Sequence, residues 1–233
     1  MTTTTTTPTT YDLIAANADM AASALVVSVP HAGTVVPAED APVLALEGNG
    51  LLRDADLYVD RLCAAVPSRG VPVMRELVSR YILDVNRAPD DVDKDVCPEL
   101  ADKGRGRGMS ARGLVWRLTT DGAPVLKRPL TRAELESRVA RIHAPYHATL
   151  AALLEERRAR FGFAVLLDCH SMPSTGRPGH SDPGARRADV VPGDVRGTSR
   201  APSISKLVAE RFERAGFAVR PNDPYMGGFI TRS

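Results

Sequence analysis

Residues 24–33, ALVVSVPHAG, join a short apolar run rich in β-branched residues to a polar turn that contains His31. Such a run is typical of a strand buried on both faces of a parallel sheet. Residues 163–170, FAVLLDCH, repeat this pattern and end at His170. Ligands of open α/β folds bind beyond the carboxyl ends of the strands. We therefore expect the two imidazoles to share one crevice if these strands are neighbours.

The rest of the chain alternates between strand and helix patterns. Thr131 and Glu134 match a capping box, and Pro145 is placed to begin a second helix that reaches about residue 160. The other predicted elements are helices at 54–66 and 203–215, the second ended by Gly216, and strands at 71–74, 80–85 and 217–220. This alternation favours an α/β fold with a mainly parallel sheet.

The domain organisation follows from length and composition. A chain of 233 residues with 43% apolar residues suits one globular domain, which we place at residues 21–233. The Thr-rich residues 1–20, which begin MTTTTTTPTT, are expected to be disordered. Two long irregular segments, 88–130 and 173–202, are candidate lids over a site.

Charge and apolar run length exclude several partners. Thirty basic residues face 28 acidic ones, so there is no electrostatic reason to expect nucleic acid or an anionic membrane. The Gly/Arg stretch at 103–113, KGRGRGMSARG, is interpreted as a solvated loop rather than an RNA-binding segment. The longest apolar run, residues 24–30, is far shorter than the roughly 20 residues of a membrane span, and it has no signal-peptide features.

The cysteines indicate the compartment. Cys63, Cys97 and Cys169 are odd in number and widely spaced, with no CxxC pair. This pattern does not fit a disulfide framework, and it favours a reducing cytoplasm.

A divalent metal would suit the two strand-end histidines. Catalytic zinc takes three protein ligands from His, Asp or Glu and keeps one position open. Asp54 and Asp56 are both candidates for the third ligand beside His31 and His170. Each has a structural alternative, since Asp54 could cap a helix and Asp56 could favour its dipole.

Residues 79–87, SRYILDVNR, could hold a carboxylate substrate. Arg80 and Arg87 can each bind a carboxylate in a bidentate manner, and Asn86 lies beside them. The alternative is a pair of surface or salt-bridged arginines, one of them paired with Asp84.

Covalent and nucleotide-dependent chemistry have little support. Cys169 and His170 are adjacent on a predicted strand, so their side chains point to opposite faces. Ser171 lacks the G-x-S-x-G elbow, and neither G-x-G-x-x-G nor a Walker A motif occurs. Hydrolysis by a metal-activated water is the better interpretation.

An ordered set of short motifs resembles the N-formylglutamate amidohydrolase family over about residues 25–232. The matching pieces are SVPHAG (28–33), DADLYVDRL (54–62), SRYILDVNR (79–87), RGLV (112–115), APYHATL (144–150), LLDCHS (166–171), GTS (197–199) and N-x-x-Y-x-G-G-F-I-T-R (222–232). The resemblance implies a phosphorylase/hydrolase-like fold of zinc carboxypeptidase and aspartoacylase type: a mixed, mainly parallel sheet flanked by helices in a single domain.

The resemblance also implies an activity and a set of site residues. The reaction is hydrolysis of N-formyl-L-glutamate, a small molecule with two carboxylates, to L-glutamate and formate in histidine degradation. Zn²⁺ or another divalent metal would be bound by His31, His170 and Asp56, with Asp54 as the alternative third ligand or as a carboxylate that supports the ligands. The implied substrate-binding residues are Arg80, Asn86, Arg87, His147 and Asn222, with Arg80 also expected to act in catalysis by stabilising the oxyanion.

The resemblance leaves the general base open. Family chains are expected to continue past the G-G-x-I-T-R segment to a Gln-x-Glu stretch that supplies it. Since this sequence stops at Ser233, we expect another carboxylate, Asp54, to substitute as a catalytic residue. The alternatives are an enzyme for a related N-acyl amino acid and a catalytically silent protein that binds metal and carboxylates.

Overall fold

A four-stranded sheet forms the centre of the fold. The structure is a computed structural model that describes residues 9–103, 111–199 and 201–232. Its strands are β1 (Tyr11–Ile14), β2 (Leu25–Val29), β3 (Val73–Glu76) and β4 (Val165–Asp168). The order is β1-β3-β2-β4; β2 runs parallel to both β3 and β4, and β1 is antiparallel to β3. The predicted mixed, mainly parallel sheet is confirmed.

Helices cover both faces of this sheet. Their bounds are α1 (Val59–Leu62), α2 (Arg132–Arg138), α3 (Ala144–Phe161) and α4 (Pro202–Arg214). Val26 of β2 belongs to one buried cluster with Tyr146 of α3, whereas Val27 belongs to a second cluster with Val59 of α1. Successive strand residues point to opposite faces, so β2 is buried on both sides. The prediction of a single α/β domain flanked by helices is thus confirmed.

The capping box opens a long helical segment. The Glu134 amide donates to Thr131 Oγ1 at 3.2 Å, and the Thr131 amide donates to the Glu134 carboxylate at 2.8 Å. Pro145 lies in the first turn of α3 as predicted. A π-helical turn, Val139–His143, joins α2 directly to α3. Within the described residues, no helix has both the length and the apolar content to cross a bilayer.

The predicted helix at 54–66 is wrong except for the four residues of α1. The Asp56 amide donates to the His31 carbonyl at 2.9 Å instead of to a helical partner. Tyr58 has a φ of 69°, which no α-helix accommodates. Tertiary contacts of the two aspartates therefore override the local helical pattern.

The predicted strand at 80–85 is also wrong. The segment forms consecutive turns, in which the Ile82 amide donates to the Ser79 carbonyl and the Arg87 amide to the Asp84 carbonyl. It is buried without being a strand, so burial accounts for its apolar sequence. The predicted strand at 217–220 is reduced to one isolated bridge between Val190 and Val219.

The predicted disorder of residues 1–20 is wrong over β1. Tyr11 to Ile14 pair with β3 in antiparallel register, and the Tyr11 hydroxyl lies 2.7 Å from Thr149 Oγ1 on α3. Residues 1–8 lie outside the described residues, as does most of the Gly/Arg stretch, residues 104–110.

Glu76, at the end of β3, is a buried carboxylic acid. Its Oε1 accepts from the amides of Leu77 and Val78, whereas its Oε2 has no hydrogen-bond partner among the described residues. Burial raises the pKa of Glu76 from 4.5 to about 8, against the opposing effect of those two amide donors. The folded protein therefore holds a proton here that the unfolded chain has lost at neutral pH.

We expect Glu76→Gln to flatten the pH dependence of stability. A folded-state pKa above the unfolded value stabilises the fold fully below about pH 4.5, and this contribution is lost as the pH rises toward 8. Over this pH window, the unfolding free energy of the wild type should fall by up to about 1.4 kcal/mol per pH unit relative to that of the variant. Urea unfolding at pH 5.5, 6.5 and 7.5 measures the difference. The control is Glu47→Gln, at an exposed position. If the unfolding free energy has the same slope against pH in the wild type, in Glu76→Gln and in this control, Glu76 ionises normally.

Candidate metal centre

Three ligand atoms from three segments meet beyond the carboxyl end of the sheet. His31 follows β2, His170 follows β4, and Asp56 precedes α1. His31 Nδ1 lies 3.1 Å from His170 Nδ1 and 3.6 Å from Asp56 Oδ2, and His170 Nδ1 lies 2.9 Å from the same oxygen. The predicted convergence of the two histidines is present, because β2 and β4 are adjacent and parallel.

The outer ring nitrogens of both histidines are held by carboxylates. His31 Nε2 lies 2.6 Å from Asp84 Oδ1, and His170 Nε2 lies 2.9 Å from Asp168 Oδ2. An ionised carboxylate only accepts hydrogen bonds, so each Nε2 carries the hydrogen and donates it. With a cation bound between them, each ring would be neutral and would present its Nδ1 lone pair to the cation. This is the arrangement in which a carboxylate orients a metal-binding histidine.

The residues present fit a divalent cation. Two ring nitrogens 3.1 Å apart, with Asp56 Oδ2 beside both, need a proton or a metal ion between them. Tetrahedral ligands about 2.0–2.1 Å from zinc lie about 3.3 Å apart, and the three measured separations run from 2.9 to 3.6 Å. Two imidazoles and a carboxylate are also a donor set that zinc accepts, and three protein ligands leave a position open.

The acidic and basic members of this cluster stabilise each other's charged forms. Burial opposes ionisation of Asp56, but hydrogen bonds from His170 and His31 outweigh it and hold the pKa of the carboxyl well below its usual range. Burial likewise disfavours a charged His170, yet Asp168 and Asp56 raise its pKa to about 10. The side chain of His170 is 34% exposed, so the centre is reachable from solvent.

Asp84 connects the centre to the core. Besides His31, its carboxylate accepts from Arg80 at 2.8 Å and from the Trp116 indole at 3.1 Å. The amide of Asn86 also donates to it, at 2.9 Å. Burial opposes the charge, but His31 and Arg80 lower the pKa of this fully buried carboxyl well below its usual range.

Asp54 lies outside the three-atom cluster. Its carboxylate accepts from the Tyr81 hydroxyl at 2.7 Å, from the Thr120 amide at 3.0 Å and from Arg177 at 3.1 Å. Although burial opposes ionisation, hydrogen bonds from Thr120 and Tyr81 lower the pKa of Asp54. Asp54 therefore joins the loop at 111–122 to the loop that carries Arg177, and this geometry favours a positioning role over the predicted proton transfer.

We expect Asp54→Asn to weaken the fold without altering the ionisation of the centre. Loss of the charge leaves Arg177 without its carboxylate and should cost about 1–3 kcal/mol of stability. Urea unfolding and the pH profile of kcat/KM together check this. If the acidic limb of that profile disappears in Asp54→Asn while the stability is unchanged, Asp54 is the general base.

Arg80, one of the predicted substrate-binding residues, is already engaged within the protein. Its guanidinium donates to Asp84 and to the Asp54 carbonyl and stacks over Trp116, with 4.4 Å to the ring centroid. The salt bridge with Asp84 is the structural alternative to a substrate-binding role for Arg80.

Arg87 and Asn86 also make protein contacts. Arg87 donates to the carbonyls of Arg112 and Asn86, both at 3.0 Å. The Asn86 side chain donates to Asp168 at 3.2 Å and accepts from the Ile230 amide at 2.9 Å. Asn86 therefore contacts Asp168, the carboxylate that holds His170. Both ends of its side-chain amide are hydrogen-bonded within the protein.

His147 and Asn222, the remaining predicted substrate-binding residues, are hydrogen-bonded to neighbouring segments of the protein. His147 Nε2 lies 2.8 Å from the Val85 carbonyl, and its ring stacks on His143. The Asn222 side chain bonds to both backbone and carboxylate of Asp194. Their contact with substrate stays a prediction.

Sequence reasoning missed Asp168 as a partner of the centre. Asp168 and His170 are two residues apart at the end of β4. Residues with this spacing share one face of a strand, so the pattern could have indicated their contact. The involvement of Trp116 and Thr120 had no such local signal.

The fold and these ligand atoms define an α/β protein with a candidate divalent-metal centre at the carboxyl edge of its sheet. Comparison with known proteins assigns the family. The family model described as N-formylglutamate amidohydrolase matches residues 23–233. The chain belongs to the N-formylglutamate amidohydrolase family, as its motifs indicated.

Named relatives agree with this assignment. The chain is 31% identical over 212 residues to an N-formylglutamate deformylase of Pseudomonas aeruginosa, covering 89% of this chain and 73% of that protein. A crystal structure of N-formylglutamate amidohydrolase from Ralstonia eutropha JMP134 matches with a TM-score of 0.83 at 30% identity, covering 97% of this chain and 80% of that one. A gene product from Agrobacterium tumefaciens, 19% identical with a TM-score of 0.65 over 94% of this chain and 75% of that one, shares the fold.

Proposed function

We propose that this chain is a metal-dependent hydrolase that cleaves N-formyl-L-glutamate to L-glutamate and formate. The observation that carries the proposal is the convergence of His31 Nδ1, His170 Nδ1 and Asp56 Oδ2 in a member of this family. The name of the Pseudomonas relative supports the substrate. The implied setting is histidine degradation in the cytoplasm, and the three free thiols fit a reducing compartment.

The three ligands would hold the metal, and their carboxylate partners fix the geometry. When bound, a divalent cation such as Zn²⁺ polarises the formyl carbonyl and lowers the pKa of water. Asp84 and Asp168 keep the histidine hydrogens on Nε2, so both Nδ1 atoms stay directed at the site. Asp56 adds the negative charge that favours a cation over a neutral ligand.

Arg80 and Arg87 are the proposed sources of positive charge for the substrate carboxylates. Both flank the turn that holds Asp84 and Asn86, and that turn contacts both histidines. Arg80 is ion-paired with Asp84, so we propose that it holds Asp84 in place as well as attracting the anionic substrate. Asp84 would therefore link substrate attraction to the orientation of His31.

A second candidate is a catalytically silent protein that binds metal and carboxylates. The carboxylates near the centre favour this candidate, because each already accepts hydrogen bonds from other side chains and none is left as an evident general base. Within the described part of the chain, these carboxylates are Asp54, Asp84 and Asp168. A general acid–base residue contributes roughly 10²–10⁴-fold to rate, so a protein without one could retain binding while turning over slowly.

Glutamate release from N-formyl-L-glutamate by the purified chain tests the proposal. We expect release that requires added zinc and stops with chelator, and a lower kcat/KM for the N-acetyl and peptidyl analogues. Equal or better turnover of those analogues would support the related N-acyl amino acid enzyme. Zinc binding and a ligand-induced rise in Tm without any release would support the silent protein.

A further inference from the structure

A series of buried hydrogen bonds leads from helix α3 to the candidate metal centre. The Tyr146 hydroxyl on α3 lies 2.9 Å from Ser28 Oγ on β2, and the same Oγ donates to Asp168 Oδ1 on β4 at 2.8 Å. The other carboxylate oxygen, Oδ2, lies 2.9 Å from His170 Nε2. Tyr146 and Ser28 are fully buried, and the Asp168 side chain is 9% exposed. These side chains therefore join the helix to a ligand of the centre.

The pairing of the strands explains why these side chains meet. Ser28 and Asp168 are partners in the parallel strands β2 and β4, so their side chains lie side by side on one face of the sheet. Val26, two residues before Ser28, belongs to the same buried cluster as Tyr146. Residues two apart on a strand share a face, so α3 covers the face that carries Ser28 and Asp168. Regular secondary structure therefore fixes the positions of all three side chains.

The carboxylate of Asp168 determines the direction of each hydrogen bond. An ionised carboxylate only accepts hydrogen bonds, so the Ser28 hydroxyl donates to it. A hydroxyl has a single hydrogen, so Ser28 Oγ accepts the hydrogen of the Tyr146 hydroxyl. From the other side, His170 donates its Nε2 hydrogen to the same carboxylate. His170 therefore has Nδ1 as the ring nitrogen that remains for a cation.

Neutral groups hold Asp168, in contrast to the other carboxylate that holds a histidine. Asp84 forms an ion pair with Arg80 at 2.8 Å. In the described part of the chain, no arginine or lysine pairs with Asp168, which accepts instead from the Ser28 hydroxyl and from the Asn86 amide at 3.2 Å. A hydroxyl fixes the position of a carboxylate without cancelling its charge. The full negative charge of Asp168 thus faces the imidazole that it orients.

We propose that Ser28 and Tyr146 are positioning residues for the metal ligand His170. They act through Asp168, and this role depends on the metal-dependent function proposed above. Without the Ser28 hydroxyl, Asp168 Oδ1 loses a donor and the carboxylate can rotate away from His170 Nε2. Groups that orient a metal-binding histidine set its affinity for the metal. Tyr146 acts one step further away, because its hydroxyl holds the Ser28 oxygen.

Zinc affinity, measured by equilibrium dialysis in a double-mutant cycle, tests this role. We expect Ser28→Ala to weaken zinc binding by about tenfold, the lower end of the range for orienting partners. Tyr146→Phe, which removes one more distant hydrogen bond, should weaken it by about threefold. Because the Tyr146 hydroxyl reaches Asp168 through Ser28, adding Tyr146→Phe to Ser28→Ala should weaken zinc binding no further. Two independent effects on the structure would instead multiply.

Tyr11→Phe is the matched control. The Tyr11 ring meets the Tyr146 ring edge-on, with 6.0 Å between centroids, and its hydroxyl lies 2.7 Å from Thr149 Oγ1 on the same helix. Tyr11→Phe therefore removes a neighbouring hydroxyl from α3 without touching the series that ends at Asp168, and it should keep wild-type zinc affinity. Urea unfolding of the metal-free proteins shows which variants are folded.

Three results would overturn the role. The first is a folded Ser28→Ala protein that binds zinc as tightly as the wild type, and the second is a double variant in which the two losses multiply. The third is equal zinc affinity in Tyr146→Phe and Tyr11→Phe, which also decides the matter where Ser28→Ala does not fold. A wild type that binds no zinc contradicts the metal-dependent function as well. If the wild type binds zinc, these three results leave that function standing.

Discussion

His170→Ala is expected to abolish tight zinc binding and, with it, metal-dependent turnover. The substitution removes one of three ligand atoms, and it leaves His31 Nδ1 and Asp56 Oδ2 facing an empty volume. Loss of a partner that merely orients a ligand typically costs about 10–100-fold in metal affinity. Loss of the ligand itself should exceed this range. Equilibrium dialysis against a zinc buffer measures the affinity directly.

A matched control separates loss of the ligand from loss of the fold. His180 lies in another loop, where its Nδ1 accepts from the Arg177 amide at 2.9 Å, and it is outside the cluster. His180→Ala should keep wild-type zinc affinity. If His170→Ala binds zinc as tightly as His180→Ala while both remain folded, the assignment of His170 is wrong.

Asp84→Asn is expected to damage both the fold and the centre. The fully buried carboxylate balances Arg80 and orients His31, whereas the neutral amide cannot balance the charge and is a weaker acceptor for His31. Breaking a buried ion pair by neutralising one partner costs about 3–5 kcal/mol, because the remaining charge stays buried. The more weakly held imidazole should lower zinc affinity by about 10–100-fold. Urea unfolding of the metal-free protein and zinc titration measure the two effects separately.

The partly exposed ion pair of Asp60 with Arg75 provides the comparison. Its atoms are 3.0 Å apart with both side chains about 30% exposed, so Asp60→Asn should cost about 1 kcal/mol or less and leave zinc affinity unchanged. An Asp84→Asn protein that matches Asp60→Asn in both measurements would show that Asp84 neither balances Arg80 nor orients His31.

The sequence predicted the parts of the site that depend on strand order. His31 and His170 each follow an apolar β-branched run, and parallel neighbours bring such positions together. Helix α2 was equally predictable, since its capping box is a local contact between Thr131 and Glu134. These elements require no knowledge of distant residues beyond the pairing of two strands.

The rest of the site depends on contacts between distant residues. The apolar composition of residues 80–85 is typical of a strand, but the segment is a buried series of turns in which Asp84 meets His31 and Trp116. The sequence pattern places Asp54 at a helix cap, but in the structure no helix begins there and its carboxylate contacts Thr120 and Arg177. Local periodicity reports burial, and it carries no information on which distant polar groups satisfy a buried charge.

X-ray absorption spectroscopy of the zinc-loaded chain tests the central claim most directly. We predict one zinc per chain with a first shell of nitrogen and oxygen at about 2.0–2.1 Å and the multiple scattering of two imidazoles. His170→Ala should lose the zinc or one imidazole contribution. A first shell with sulfur at about 2.3 Å, or a chain that binds no zinc, would contradict the assignment of the centre to His31, Asp56 and His170.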